Sequence, residues 1–101
     1  MYRYNMEGIP GVSPSWELKL SAIRTRIAVA KQRRDWNAMD EAAEEGLAVN
    51  PWDTDFNLEL ARACDKQGFH DVALFACDCA LAAAPDRTDV RDFHSKLTSS
   101  E

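Results

Sequence analysis

One spacing constrains this chain more than any single residue: a pattern of small residues, turns and prolines returns after 34 positions. Asn50-Pro51 recurs in role as Ala84-Pro85, Gly46-Leu47 as Ala80-Leu81, and Met39 as Ala73. Arg34-Asp35-Trp36 aligns with Gly68-Phe69-His70, the turn that precedes each second helix. A fixed period of this length belongs to stacked architectures, in which each unit buries its apolar face against its neighbours.

Hydrophobic spacing places the helices. Trp16, Leu20, Ile23, Ile27 and Ala30 form one stripe on a helix of about 15–33, after Ser13-Pro14 as N-cap and first-turn proline. Asp35 caps a second helix with Trp36, Met39, Ala43 and Leu47 inward, stopped at Asn50 because the residue before a proline is pushed out of the α region. Asp53 starts a third, with Phe56, Leu60, Ala63 and Cys64 inward and Gly68 as its left-handed stop. A fourth runs from about His70 to Ala83, contacting through Val72, Ala73, Ala76, Cys77, Ala80 and Leu81. Asp86 caps a fifth, whose narrow stripe of Val90, Phe93 and Leu97 suits a closing helix with one face in water. No strand pattern competes, so the expected fold is all-α with about five helices. Residues 1–13, with two glycines, a proline and no periodicity, are expected to be a flexible lead before a helical domain over 14–101.

Charge is unevenly placed. The net charge is −5, yet residues 1–34 hold seven Lys or Arg against two acids, while 35–101 hold five against fifteen. Part of this complements helix dipoles: Lys31, Arg33 and Arg34 stand where one helix ends, and Asp35, Asp40 and Glu41 where the next begins. The rest can steer a partner. The first-helix cations spread around the helix, and an acidic body follows, which disfavours nucleic acid, where phosphate contacts dominate affinity. Cys64, Cys77 and Cys79 lie in alanine-rich helical patterns as small apolar residues, which points to a reducing, cytoplasmic setting. No apolar run approaches the roughly 18–20 residues that cross a bilayer.

Over Thr54–Pro85, Leu60-Ala61, Gly68, Ala73, Ala80-Leu81 and Pro85 stand where the tetratricopeptide repeat places its small residues and closing proline. The chain resembles that family over about two repeats (about 18–51 and 54–85) and a capping helix at about 87–97. Ile27 and Met39 depart from the pattern, so the first unit reads as an altered one. The resemblance implies a fold of antiparallel helix pairs, an α-solenoid, with a concave groove lined by the first helix of each pair. Carried onto this sequence, the groove presents Ser21, Arg24, Thr25, Ala28, Lys31 and Gln32, then Asp55, Leu58, Glu59, Arg62, Asp65 and Lys66, then Asp89, Asp92 and Phe93. The family's clamp for acidic chaperone tails is not matched, since Ala28, Glu59, Asp89 and Phe93 stand in four of its places. The charge order, basic first and acidic later, suits a zwitterionic or basic-ended segment.

Other chemistries find little footing. Cys77 and Cys79 point about 200° apart on a regular helix and cannot share one ion, so no metal or cofactor is expected. No nucleophile pairs with a base by motif, and His70 and His94 are isolated. The expectation is a non-enzymatic scaffold or adaptor that binds a protein or peptide, with no small-molecule substrate and no membrane. The alternatives are a self-associating domain (a homodimer) and a regulatory or targeting domain of a larger polypeptide.

Overall fold

A computed structural model describes residues 15–99; the expected lead over 1–13 and the Ser13-Pro14 cap lie outside the described residues. Among the described residues five α-helices follow one another and no strand occurs: α1 Ser15–Arg33, α2 Trp36–Val49, α3 Thr54–Lys66, α4 His70–Ala83 and α5 Thr88–Ser99. The fold is all-α. Helix α4 begins and ends one full period after α2, His70 after Trp36 and Ala83 after Val49. Helix α5 likewise begins one period after α3, Thr88 after Thr54. Extensive packing joins each helix to the next in the chain, α1 on α2, α2 on α3, α3 on α4 and α4 on α5.

The period extends to backbone geometry. At the end of α1, Arg34 N–H donates to Lys31 O at 3.1 Å and Asp35 N–H to Ala30 O at 2.9 Å. At the end of α3, Gly68 N–H donates to Asp65 O at 3.2 Å and Phe69 N–H to Cys64 O at 2.8 Å. Both are Schellman closures, which require a left-handed residue just past the helix. Gly68 supplies it at φ 85°, and Arg34 takes the same role at φ 57° with a side chain that disfavours it. The other turns repeat too. Asn50 (φ −138°, ψ 88°) and Ala84 (φ −144°, ψ 72°) each precede a proline, and their N–H groups donate to Gly46 O and Ala80 O at 2.9 Å.

Cap chemistry does not repeat. Asp35 accepts from Ala38 N at 3.2 Å and Asp53 from Phe56 N at 2.9 Å, but their counterparts Phe69 and Arg87 have no carboxylate to offer. The expected Asp86 cap is therefore corrected. Residue 86 lies two before the start of α5, Arg91 N–H donates to Arg87 O, and Asp89 Oδ1 accepts from its own neighbour Val90 N. Asn57 is the one buried polar side chain described; it donates to Pro51 O and Asp53 O, both at 3.1 Å, and so ties the α2–α3 turn onto α3.

The core follows the apolar stripes with two exceptions. Leu20, Ile23, Ile27 and Ala30 of α1 pack with Met39, Ala42 and Ala43 of α2, and the cluster continues through Phe56, Leu60 and Cys64 into Ala73, Ala76 and Cys77. Trp16, expected in the stripe, is 54% exposed, and Val72 of α4 is 48% exposed. Trp16 lies in the first turn of α1, and Val72 faces out while its neighbours Ala73 and Ala76 make the helix contact. Helix α3, in the middle, buries the widest arc. Phe56 meets α2, where a Cβ on Gly46 would come within 2.6 Å of its ring. Leu58 turns the other way and packs with Ala80 of α4 and Val90 of α5. The three cysteines are unpaired thiols, with Cys64 and Cys77 buried. No helix among the described residues is long and apolar enough to cross a membrane.

Candidate functional site

A groove runs along the side of the molecule where α1, α3 and α5 approach one another, and polar contacts stitch its walls. Between α1 and α3, Lys31 Nζ donates to Glu59 Oε2 at 2.7 Å, and Arg24 reaches Asp53 at 3.7 Å while its guanidinium stands 5.3 Å from the centre of the Phe56 ring. Between α3 and α5, Arg62 stands 5.9 Å from the Phe93 ring centre, and Arg87 donates to Asp55 at 2.7 Å. Such exposed pairs contribute up to about 1 kcal/mol each, so their main effect is to hold side chains in place.

The groove has two compartments that share Lys31. The first, about 440 Å³, lies between α1 and α3, with Ile27, Ala28 and Phe56 beneath Arg24, Lys31, Gln32, Asp55 and Glu59. Its lining charges cancel, two cations against two carboxylates. The second, about 450 Å³, lies between α3 and α5 and reaches the start of α2. It is lined by Lys31, Arg62, Lys66 and Lys96 with Asp65 as the one acid, and by Trp36, Met39 and Phe93. The Lys66 ammonium stands 5.7 Å from the Trp36 ring centre.

Most of the residues expected in the groove are there. Arg24, Ala28, Lys31, Gln32, Asp55 and Glu59 meet in the first compartment, and Arg62, Asp65, Lys66 and Phe93 in the second. Leu58 is corrected: it is 2% exposed and belongs to the α3–α4–α5 core, because the central helix is covered on two sides. Thr25 is also displaced; it donates to Ser21 O and lines a cleft on the α1–α2 side with Arg26 and Glu41. Sequence reasoning missed Trp36 and Lys96; Met39, read as an inward residue of α2, is buried core beneath them. The period itself marks Lys96, which stands one repeat after Arg62.

The expected charge order changes as well. Three of the later acids are engaged: Glu59 binds Lys31 and Arg62 (3.3 Å), while Arg87 grips Asp89 through two hydrogen bonds of 3.1 and 2.6 Å and also holds Asp55. Those bonds keep the Asp89 carboxyl below the usual range and raise the Arg87 guanidinium. Lys66 and Lys96 have no carboxylate partner among the described residues, so the far end of the groove is basic.

Elsewhere, a second polar cluster sits between α2 and α3. Asp40 Oδ2 accepts from Gln67 Nε2 at 3.2 Å and faces the Cys64 thiol at 3.9 Å. Glu44, one turn on, hydrogen-bonds the Asp40 carboxyl; that bond, burial and the charges of Asp40 and Glu41 push its pKa up to about 7. Burial first, then the Asp40 and Glu44 charges, pushes the Cys64 thiol up to about 11, and burial with the Asp78 charge does the same for Cys77. Both thiols are thus held away from the reactive thiolate. No three His, Cys, Asp or Glu side chains gather to hold a metal among the described residues.

No known protein-family model matches this chain, and no curated protein is detectably similar to it in sequence.

Proposed function

We propose that this chain is a non-enzymatic protein-interaction module of tetratricopeptide type, an α-solenoid of two helix pairs and a closing helix, that works in the cytoplasm and holds a peptide or partner protein in the α1–α3–α5 groove. The observation that carries the reading is the groove itself. Side chains from α1, α3 and α5, joined by Trp36 of α2, meet in two adjoining compartments, over an apolar floor and between preset ion pairs. A concave site with a few oriented polar groups suits recognition. The solenoid reading is supported by helices and turns that return once per period and by packing between chain neighbours. The non-enzymatic reading is supported by how the titratable groups are used: Glu59, Asp55 and Asp89 serve in ion pairs, and the buried thiols are driven to about 11.

Affinity capture with the purified chain tests this, using two variants. Ala28→Trp fills the first compartment from an exposed position, and Phe75→Ser alters an exposed site on α4 outside the groove. The expected outcome is a set of partners lost with Ala28→Trp and kept with Phe75→Ser. Partners that survive Ala28→Trp bind elsewhere and reject the groove as the binding surface.

A further inference from the structure

After residue 34 the chain carries five cations against fifteen acids, so cations there are scarce. Three of those five, Arg62, Lys66 and Lys96, line the second compartment, and Lys31 arrives from α1 to make a fourth. Of the acids, Asp65 lines it and Glu59 stands at its edge, already bonded to Lys31 and Arg62. A solvated helix face would not collect the rare charge around one cleft of about 450 Å³. Like charges held together raise the local potential, and an anion relieves it.

The walls add a second requirement. Trp36 and Phe93 are half-buried, and each already holds a cation against its ring, Lys66 on Trp36 and Arg62 on Phe93. Those contacts fix two of the cations before any ligand arrives, which lowers the ordering cost of binding. They also leave apolar surface beside positive charge. A ligand that fits both carries an anionic group next to an aromatic or aliphatic one.

From this placement we propose that the α3–α5 end of the groove is a subsite for an acidic peptide segment, seating carboxylates among Lys31, Arg62, Lys66 and Lys96 and an adjacent apolar side chain against Trp36 and Phe93. The inference rests on the groove being a peptide site and names the chemistry of its occupant. Spaced carboxylates suit the subsite better than one compact dianion, because Asp65 and Glu59 remain within or beside it. This end is distinct from the α1–α3 compartment, whose lining charges cancel.

The test uses Trp36 as reporter in a Trp16→Phe, Trp52→Phe background, since both removed indoles are exposed. Peptides with a Glu-Glu-Phe-Glu core are titrated beside Gln-Gln-Phe-Gln, Lys-Lys-Phe-Lys and phosphoserine counterparts, inorganic phosphate, phosphatidylserine vesicles and single-stranded DNA. The acidic peptide is expected to bind at least about tenfold more tightly than the neutral one and to weaken as salt shortens the Debye length below about 10 Å. Lys66→Glu with Lys96→Glu, both at exposed positions, should abolish the preference with an unchanged helical spectrum, and Arg24→Glu should leave it intact. Equal binding of acidic and neutral peptides, preference for the lysine peptide, or phosphate binding as tightly as the peptide would overturn the assignment. So would about tenfold tighter binding of the phosphoserine peptide, the vesicles or DNA, each naming a different occupant. Partners blocked by Ala28→Trp but indifferent to peptide charge would defeat this inference alone. Acidic peptide binding alongside partners that ignore every groove variant would defeat the proposed function alone.

Discussion

The α2–α3 and α4–α5 junctions share one backbone plan and solve the same packing problem with opposite residues. At the first, glycine at position 46 faces the full ring of Phe56. At the second, one period later, alanine at position 80 faces the smaller Val90. The sum of the two side chains matters, because the interior is close-packed and a methyl gained on one helix must be given up on the other. A repeat read one position at a time looks degraded here, whereas read as pairs it keeps its shape.

The sharpest way to break that comparison is Gly46→Ala. The new methyl meets a ring that is 1% exposed and has nowhere to move, so unfolding stability should fall by about 1–3 kcal/mol. Adding Phe56→Val rebuilds the second junction's pair at the first. In urea melts the double variant should lose less than the sum of the two single losses, and strict additivity would refute the pairing.

The Schellman turns give a smaller effect of opposite sign at the two sites. Arg34 and Gly68 hold the same left-handed position, but Arg34 carries a Cβ against it. Arg34→Gly should stabilise the chain by about 0.5–1 kcal/mol, while Gly68→Ala should cost about 1 kcal/mol. No atom lies within 4 Å of a Cβ built at Gly68, so that loss reports backbone strain rather than a clash. Equal effects of the same sign would show that the two turns are not equivalent.

The smallest effect concerns a carboxyl pair present in the first unit alone. Asp40 and Glu44 correspond to Leu74 and Asp78 in the second. Glu44 titrates at about 7 in the folded chain against an ordinary 4.5, so between those values the folded state binds more protons than the unfolded one. The contribution to stability is therefore fully present below about pH 4.5 and is lost as pH rises through about 7. Glu44 is exposed, and solvent screening holds the loss to under about 1 kcal/mol. Glu44→Gln should flatten that slope in melts taken from pH 4.5 to 8, and a slope unchanged by the substitution would remove the pair as its source.

How much was legible beforehand varies with the kind of interaction. The bounds of α1 and α4, the stops at Asn50 and Gly68 and the caps at Asp35 and Asp53 follow from local rules, because proline sterics, left-handed φ and side-chain capping act within a few residues. The Asp86 cap was misread because a carboxylate near a helix start looks the same in sequence whether it sits at the cap or two residues before it. Leu58 was misplaced for a tertiary reason: a helical stripe shows one buried face, and α3 has two. Trp36 and Lys96 escaped notice because they stand on α2 and late on α5, and enter the groove when those helices pack beside Lys66 and Arg62.

The amino-acid order by itself thus determined the helices, their turns and the rhythm of the repeat, since each depends on neighbours a few bonds or one helical turn away. Tertiary packing decided which acids are neutralised and which cations are left unpaired. Glu59 is silenced by a lysine 28 positions earlier and Asp55 by an arginine 32 positions later. Ion pairing depends on distance in space, and that distance exists once α1, α3 and α5 lie side by side.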